Sequence, residues 1–142
     1  MEAVTLQFFL PMNPPTHTHQ QGERVAVNQK TGRAVHYADA ELKDIRQKFL
    51  SALIRHAPPE PFKGGVRFVT KWCYPVTGKH RDGDYKLTKP DTENMIKLFK
   101  DVMTELQFWK DDAQVASEQI EKFYAELPGI YVYLEDLPKN GY

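Results

Sequence analysis

Two acidic clusters bracket a short amphipathic stretch of this chain. The first is Lys89-Pro90-Asp91-Thr92-Glu93-Asn94, and the second is Phe108-Trp109-Lys110-Asp111-Asp112. Carboxylates gathered in one place repel one another unless a positive charge neutralises them. A divalent ion held by hard oxygen ligands does this most simply. Such an ion activates a water and stabilises charge building on a phosphate, which is phosphoryl-transfer chemistry. Asp91 and Glu93 are two positions apart, and inside a helix they would point about 200° apart. Asp91 follows Pro90, however, and is expected just before the first helical residue. The preceding loop then sets its direction, so both carboxylates can face one point. Glu93 shares a helix face with Lys97. If Asp112 folds back beside them, three acids and a lysine share a site able to hold one or two magnesium ions. Lys97 would balance the acids or touch the scissile phosphate.

Each of these residues also has an ordinary role. An aspartate before a helix commonly caps it. Glu93 and Lys97 form an i,i+4 pair worth about 0.3–0.5 kcal/mol. Asp111-Asp112 suits a turn. Spacing alone leaves both readings open.

The positioning elements follow from periodicity. Val4–Leu10 alternates as a strand that Pro11 stops. Val25–Asn28 and Arg33–Tyr37 can pair as a hairpin across Thr31-Gly32. Asp39 is a candidate cap for a first helix carrying Leu42, Ile45, Phe49 and Leu53 on one face. His56-Ala57-Pro58-Pro59 ends it. Val66–Tyr74 is rich in β-branched and aromatic residues and reads as a strand. Pro75 to Lys89 reads as a polar, mobile loop. A second helix is expected from about Thr92 to Leu106, with an apolar stripe of Met95, Phe99, Val102 and Leu106. Beyond Asp112, the spacing of Ala116, Ile120, Phe123 and Leu127 favours a helix. Pro128-Gly129 is a turn and Ile130–Leu134 a strand.

The chain has 142 residues, a single-domain length able to bury a core. No apolar run approaches about 18 residues, so no membrane span is expected. Met1-Glu2-Ala3-Val4 lacks the basic start and apolar stretch of a signal peptide, so a cytoplasmic location is expected. Cys73 is the one cysteine and cannot form an internal disulfide, which suits a reducing compartment. The net charge is zero, which argues against a protein held on nucleic acid by excess positive charge alone. It does not exclude a nucleic-acid enzyme with local charge.

The run Lys89-Pro90-Asp91-Thr92-Glu93-Asn94-Met95-Ile96-Lys97, then Asp101, then Phe108-Trp109-Lys110-Asp111-Asp112-Ala113-Gln114-Val115, resembles the RusA family of Holliday junction resolvases. Both boxes and their separation match these phage- and prophage-associated endonucleases. The resemblance makes Asp91 and Asp112 the first and third essential acids and Lys97 the catalytic-site lysine. Asn94 and Asp101 match the motif as supporting residues. Glu93 stands where the family has its second aspartate, one methylene longer. A displacement of about 1 Å can cost a site much of its rate, so this departure bears on activity. The resemblance further implies a strand after Asp112, against the helical pattern. Neighbours on a strand face opposite ways, which makes Asp112 the ligand and Asp111 its support.

The fold implied is a RusA-like α+β domain over residues 1–142. It is a two-layer mixed sheet with two main helices in the order β-α-β-α-β-β, plus the hairpin. A four-way junction has two-fold symmetry, and a homodimer matches it. The function implied is a magnesium-dependent endonuclease of bacterial or phage origin, nicking branched DNA symmetrically in recombination and repair. The rivals are a broader flap nuclease and a non-catalytic DNA-structure-binding protein.

Lys79, Arg81, Lys86 and Lys89, with His80, precede the acids and suit phosphate contacts, although Asp82 and Asp84 dilute them. Arg24 and Lys30 are weaker candidates. His17-Thr18-His19 fits a solvated loop better than a metal site. Cys73 reads as packing, and Phe108 and Trp109 as anchors of the helix end rather than stacking platforms.

Overall fold

The computed structural model describes residues 4–16, 23–27, 34–38 and 40–142, with backbone alone for 23–27 and 34–38. Asp39, Lys30, His17, His19, the Thr31-Gly32 turn and the side chain of Arg24 lie outside the described residues. The elements are β1 (Thr5–Pro11), β2 (Glu23–Val27), β3 (Ala34–Ala38), α1 (Ala40–Leu53), β4 (Val66–Pro75), α2 (Thr92–Glu105), β5 (Val115–Ala125) and β6 (Gly129–Asp136). Among the described residues the fold is mixed α+β, with two α-helices and a four-stranded mixed sheet in the order β1-β6-β4-β5. β2 and β3 pair separately as an antiparallel ribbon. β6 runs antiparallel to both β1 and β4, whereas β5 lies parallel to β4.

Alternation on β4 decides the core. Val66, Phe68, Thr70, Trp72 and Tyr74 are buried, while Arg67 and Lys71 face outward. Thr70 is a buried polar residue, and its Oγ1 accepts from the Trp72 indole at 2.9 Å. That bond spares the indole N–H an unmet donor. Against this face α1 buries Ile45, Phe49 and Leu53, and α2 buries Met95, Ile96, Leu98, Phe99, Val102 and Met103. Phe49, Trp72 and Phe99 meet edge to face, the geometry their ring quadrupoles favour. An Arg46–Glu105 ion pair ties the helices together.

α2 ends without a glycine. Gln107 takes the left-handed conformation, φ 65°, and the Phe108 and Gln107 N–H groups donate to Met103 and Thr104 carbonyls. This closure turns the chain inward. Phe108 and Trp109 are fully buried, which makes them core anchors and removes base stacking as their role.

The segment after Asp112 is strand β5, as the family resemblance implies and against the helix its spacing favours. Ten consecutive positions of β4, Val66 to Pro75, offer pairing partners to it, and this sheet edge overrides helical propensity. The Pro75–Lys89 segment, read as mobile, is stitched to the outer edge of β5. Gly83 N–H donates to Tyr124, Tyr124 N–H to Asp84, and Lys86 N–H to Lys122, at 2.7 to 2.9 Å. Asp82 and Asp84 are used inside this stitching, accepting from the N–H groups of Glu126 and Arg81. The covered edge is no longer a template for stray pairing. Among the described residues no helix is long and apolar enough to cross a membrane.

Gly129 sits where β6 passes between β1 and β4, opposite Pro11 and Cys73. An added Cβ would lie 2.6 Å from the Leu10 carbonyl oxygen and 2.2 Å from the Phe9 ring. Gly129→Ala is therefore expected to destabilise the fold by about 1–3 kcal/mol, read as a lower urea midpoint at unchanged slope.

Candidate active-site groove

Asp91 occupies the N-cap position of α2, with φ −69° and ψ 145°, yet its side chain makes no capping bond. Its backbone carbonyl accepts from Met95 N–H at 3.0 Å. The carboxylate is exposed and unused by the helix, which removes capping as its purpose. Two residues on, Glu93 enters a groove of about 470 Å³ between α2 and β5. The charged residues lining the groove are Glu93, Lys97, Lys100, Asp101, Asp112 and Glu118. Glu93, Lys97, Asp101 and Asp112 are all exposed. Asn94 is half-buried in the first turn of α2.

Asp112 arrives by a different route from the one expected. Asp111 and Asp112 do not alternate on a strand. They open a short 3-10 turn, Asp112–Gln114, for which Asp111 is the cap. Asp111 Oδ1 accepts from Ala113 N–H at 2.9 Å, so this carboxylate supports the turn. Gln114 completes the capping box and anchors the turn. Its Oε1 accepts from the N–H groups of Lys110 and Asp111, and its Nε2 donates to the Phe62 and Gly64 carbonyls. Capping therefore separates the roles of the two aspartates and leaves Asp112 facing the groove.

Asp112 shares the groove with Glu93 but does not fold back beside Asp91. Gln114 ties its turn to the chain just before β4, whereas Asp91 follows the loop that leaves the far end of β4. The 14 residues of α2, about 21 Å of helix, run between the two clusters. Asp101 accompanies Asp112 in the groove. Among the described residues no group of three or more His, Cys, Asp and Glu is placed to hold a metal ion. The hard carboxylate oxygens suit magnesium, but within one chain they are divided between the ends of a helix.

Three residues not singled out in the sequence shape the site. Lys100 and Glu118 pair across the groove at 2.8 Å, with side chains 20% and 26% exposed. Lys122 on β5 donates from Nζ to the carbonyls of Thr88 at 2.5 Å and Pro90 at 2.7 Å. Burial, then the neighbouring Lys86, lower the Lys122 pKa, while Asp91 opposes them. A helical reading of residues 115–125 hides both Glu118 and Lys122, because it aims them at the wrong neighbours.

Of the basic loop residues, Lys79, Arg81 and Lys89 are exposed. Lys86 is held instead over the rings of Tyr74 and Tyr124, 5.1 and 5.2 Å from their centroids, and donates to Thr88 Oγ1. His80 stacks on Tyr124. Cys73 is half-buried, and burial and Asp82 push its thiol pKa up, which suits packing rather than nucleophilic attack.

Residues 11–135 match the model of the family described as Endodeoxyribonuclease RusA. The chain belongs to the RusA endodeoxyribonuclease family. Its enzymology is thus phosphodiester hydrolysis within DNA. The uncharacterised protein YqaN of Bacillus subtilis (strain 168) is 29% identical over 132 residues, covering 82% of this chain and 92% of that protein. A protein of Lactococcus phage r1t named crossover junction endodeoxyribonuclease rusA is 26% identical over 87 residues, covering 60% of this chain and 66% of its own.

The four bonds of Gln114 generate a prediction. Gln114→Leu keeps the bulk but strands two N–H groups and two carbonyls around the Asp112 turn. It is expected to cost about 1–3 kcal/mol in urea unfolding and to lower nuclease activity even where the protein remains folded.

Proposed function

We propose that this RusA-family protein is a magnesium-dependent endodeoxyribonuclease that resolves four-way DNA junctions by paired symmetric nicks, in recombination and repair. The observation carrying this reading is the exposed Asp91 carboxylate, left without a capping bond where the chain enters a groove lined by Glu93, Lys97 and Asp112. The name of the phage r1t relative, a crossover junction endodeoxyribonuclease, supports the choice of substrate.

The protein works as a homodimer in this proposal, for a reason beyond the symmetry of the junction. Asp91 and Asp112 lie at opposite ends of α2, and among the described residues no three acids of one chain are grouped to hold an ion. A dyad beside the groove would bring the Asp112 of a second copy to Asp91 and Glu93. Magnesium held there would polarise the phosphate and lower the pKa of its water. Asp91, Glu93 and Asp112 would hold the ion, and Lys97 would balance their charge and touch the scissile phosphate. Lys79, Arg81 and Lys89 would position the backbone without reading sequence.

Incubating a four-way junction, a flap and a linear duplex with magnesium tests the substrate. Paired nicks in the junction are expected. Flap cutting of equal efficiency points to the broader nuclease, and binding without cutting refutes catalysis. Asp91→Asn and Asp112→Asn should each abolish cleavage and weaken magnesium binding by calorimetry while junction binding survives. Glu93→Asp should cut and Glu93→Gln should not; equal rates would show that Glu93 is no ligand. Mixing Asp91→Asn chains with Asp112→Asn chains should restore nicking, because one of the two shared sites in the heterodimer is intact. No restoration in verified heterodimers refutes the shared site.

A further inference from the structure

We infer that Lys122 is a positioning residue for the nuclease site, clamping the loop that delivers Asp91 and so setting where that carboxylate points. The inference rests on the proposed role of Asp91 as an active-site acid. Lys122 belongs to β5 and lies outside both sequence boxes. It nevertheless grips the segment Lys86 to Pro90 three times. Its backbone carbonyl accepts from Lys86 N–H at 2.9 Å. Its ammonium donates to the Thr88 carbonyl at 2.5 Å and the Pro90 carbonyl at 2.7 Å.

The Pro90 carbonyl is part of the peptide that leads into Asp91. Fixing that peptide plane fixes the start of Asp91's backbone. On the other side, the Asp91 carbonyl is held by Met95 N–H at 3.0 Å. Asp91 is therefore pinned through its backbone on both flanks, while its carboxylate makes no capping bond. A capping bond would fix the same backbone but would consume the acid. Lys122 supplies the restraint from the sheet instead and leaves the acid available. Lysine suits the task, because its ammonium carries three donors on a long stem and can serve two carbonyls at once. Half-burial among the loop and β5 limits the freedom of that stem.

Two variants test this. Lys122→Met keeps the stem and the backbone bond to Lys86 but removes the donors. Lys122→Arg keeps the donors. Lys122→Met is expected to lower kcat on a four-way junction by about 100-fold, the loss that a displacement near 1 Å can cause. Its KM, its junction affinity measured without metal and its circular dichroism spectrum should match those of the unaltered protein. Lys122→Arg should recover most of the rate. A wild-type kcat in Lys122→Met overturns the inference. So does a loss of junction affinity that accounts for the lost rate, since Lys122 would then be a phosphate contact. Equal losses in both variants also overturn it. Asp91→Asn, run alongside, separates the two levels: if Asp91→Asn cleaves normally, the site reading itself fails, whereas a dead Asp91→Asn beside a fully active Lys122→Met sinks only the role of Lys122.

Discussion

A strand that lies parallel to its neighbour cannot be reached by a tight hairpin, and the rest of this molecule depends on that constraint. β5 pairs parallel with β4, so the chain must return the length of the sheet before β5 can start. Helix α2 makes the return journey. Its buried stripe, led by Phe99, Val102 and Met103, is held by the sheet's apolar face, so its length and direction are not free to change. The acids before the helix and the acids after it are consequently delivered to its two ends. The groove between α2 and β5, lined by six charged side chains, is the space this geometry leaves.

Electrostatics within that frame follow a division of labour. Acids whose carboxylates accept backbone bonds, Asp82, Asp84 and Asp111, hold loops in shape. Glu118 is neutralised by Lys100 across the groove. Asp91 stands apart from these, exposed and with no capping bond to satisfy it. The cationic residues divide in the same way. Lys86 and Lys122 are absorbed by aromatic rings and carbonyls, whereas Lys79, Arg81 and Lys89 remain at the surface. A chain of zero net charge can thus carry a groove lined by acids and lysines and, apart from it, exposed cations on the preceding loop.

Much of the architecture was legible in the amino-acid order. Alternation along Val66–Tyr74 and the stripes of the two helices follow from the simple periods of strands and helices, and burial enforces both. The two acidic boxes were legible as a pair, and their similarity to one endonuclease family agrees with the match over residues 11–135. The segment after Asp112 was less so. Ile120 and Phe123 satisfy a helical period, and only an unpaired edge of β4 makes them a strand. The loop before Asp91 has a polar composition that suggests freedom. The backbone bonds that Gly83, Asp84 and Lys86 make with Tyr124 and Lys122 depend on β5 being in place.

The sequence by itself determined which chemistry is available: carboxylates, a lysine among them, and the helix that carries them. It did so because side-chain type and short-range spacing are local properties. Tertiary structure alone decided which acids meet, which are consumed and which are left free. Asp111 becomes a cap because Gln114 can reach Phe62 and Gly64. Asp91 is left without a capping bond in a loop that Lys122 grips from another strand. Asp91 and Asp112 are kept apart because a rigid helix must span the sheet between them. Those outcomes depend on distances between residues far apart in the chain, and such distances are set only when the sheet closes.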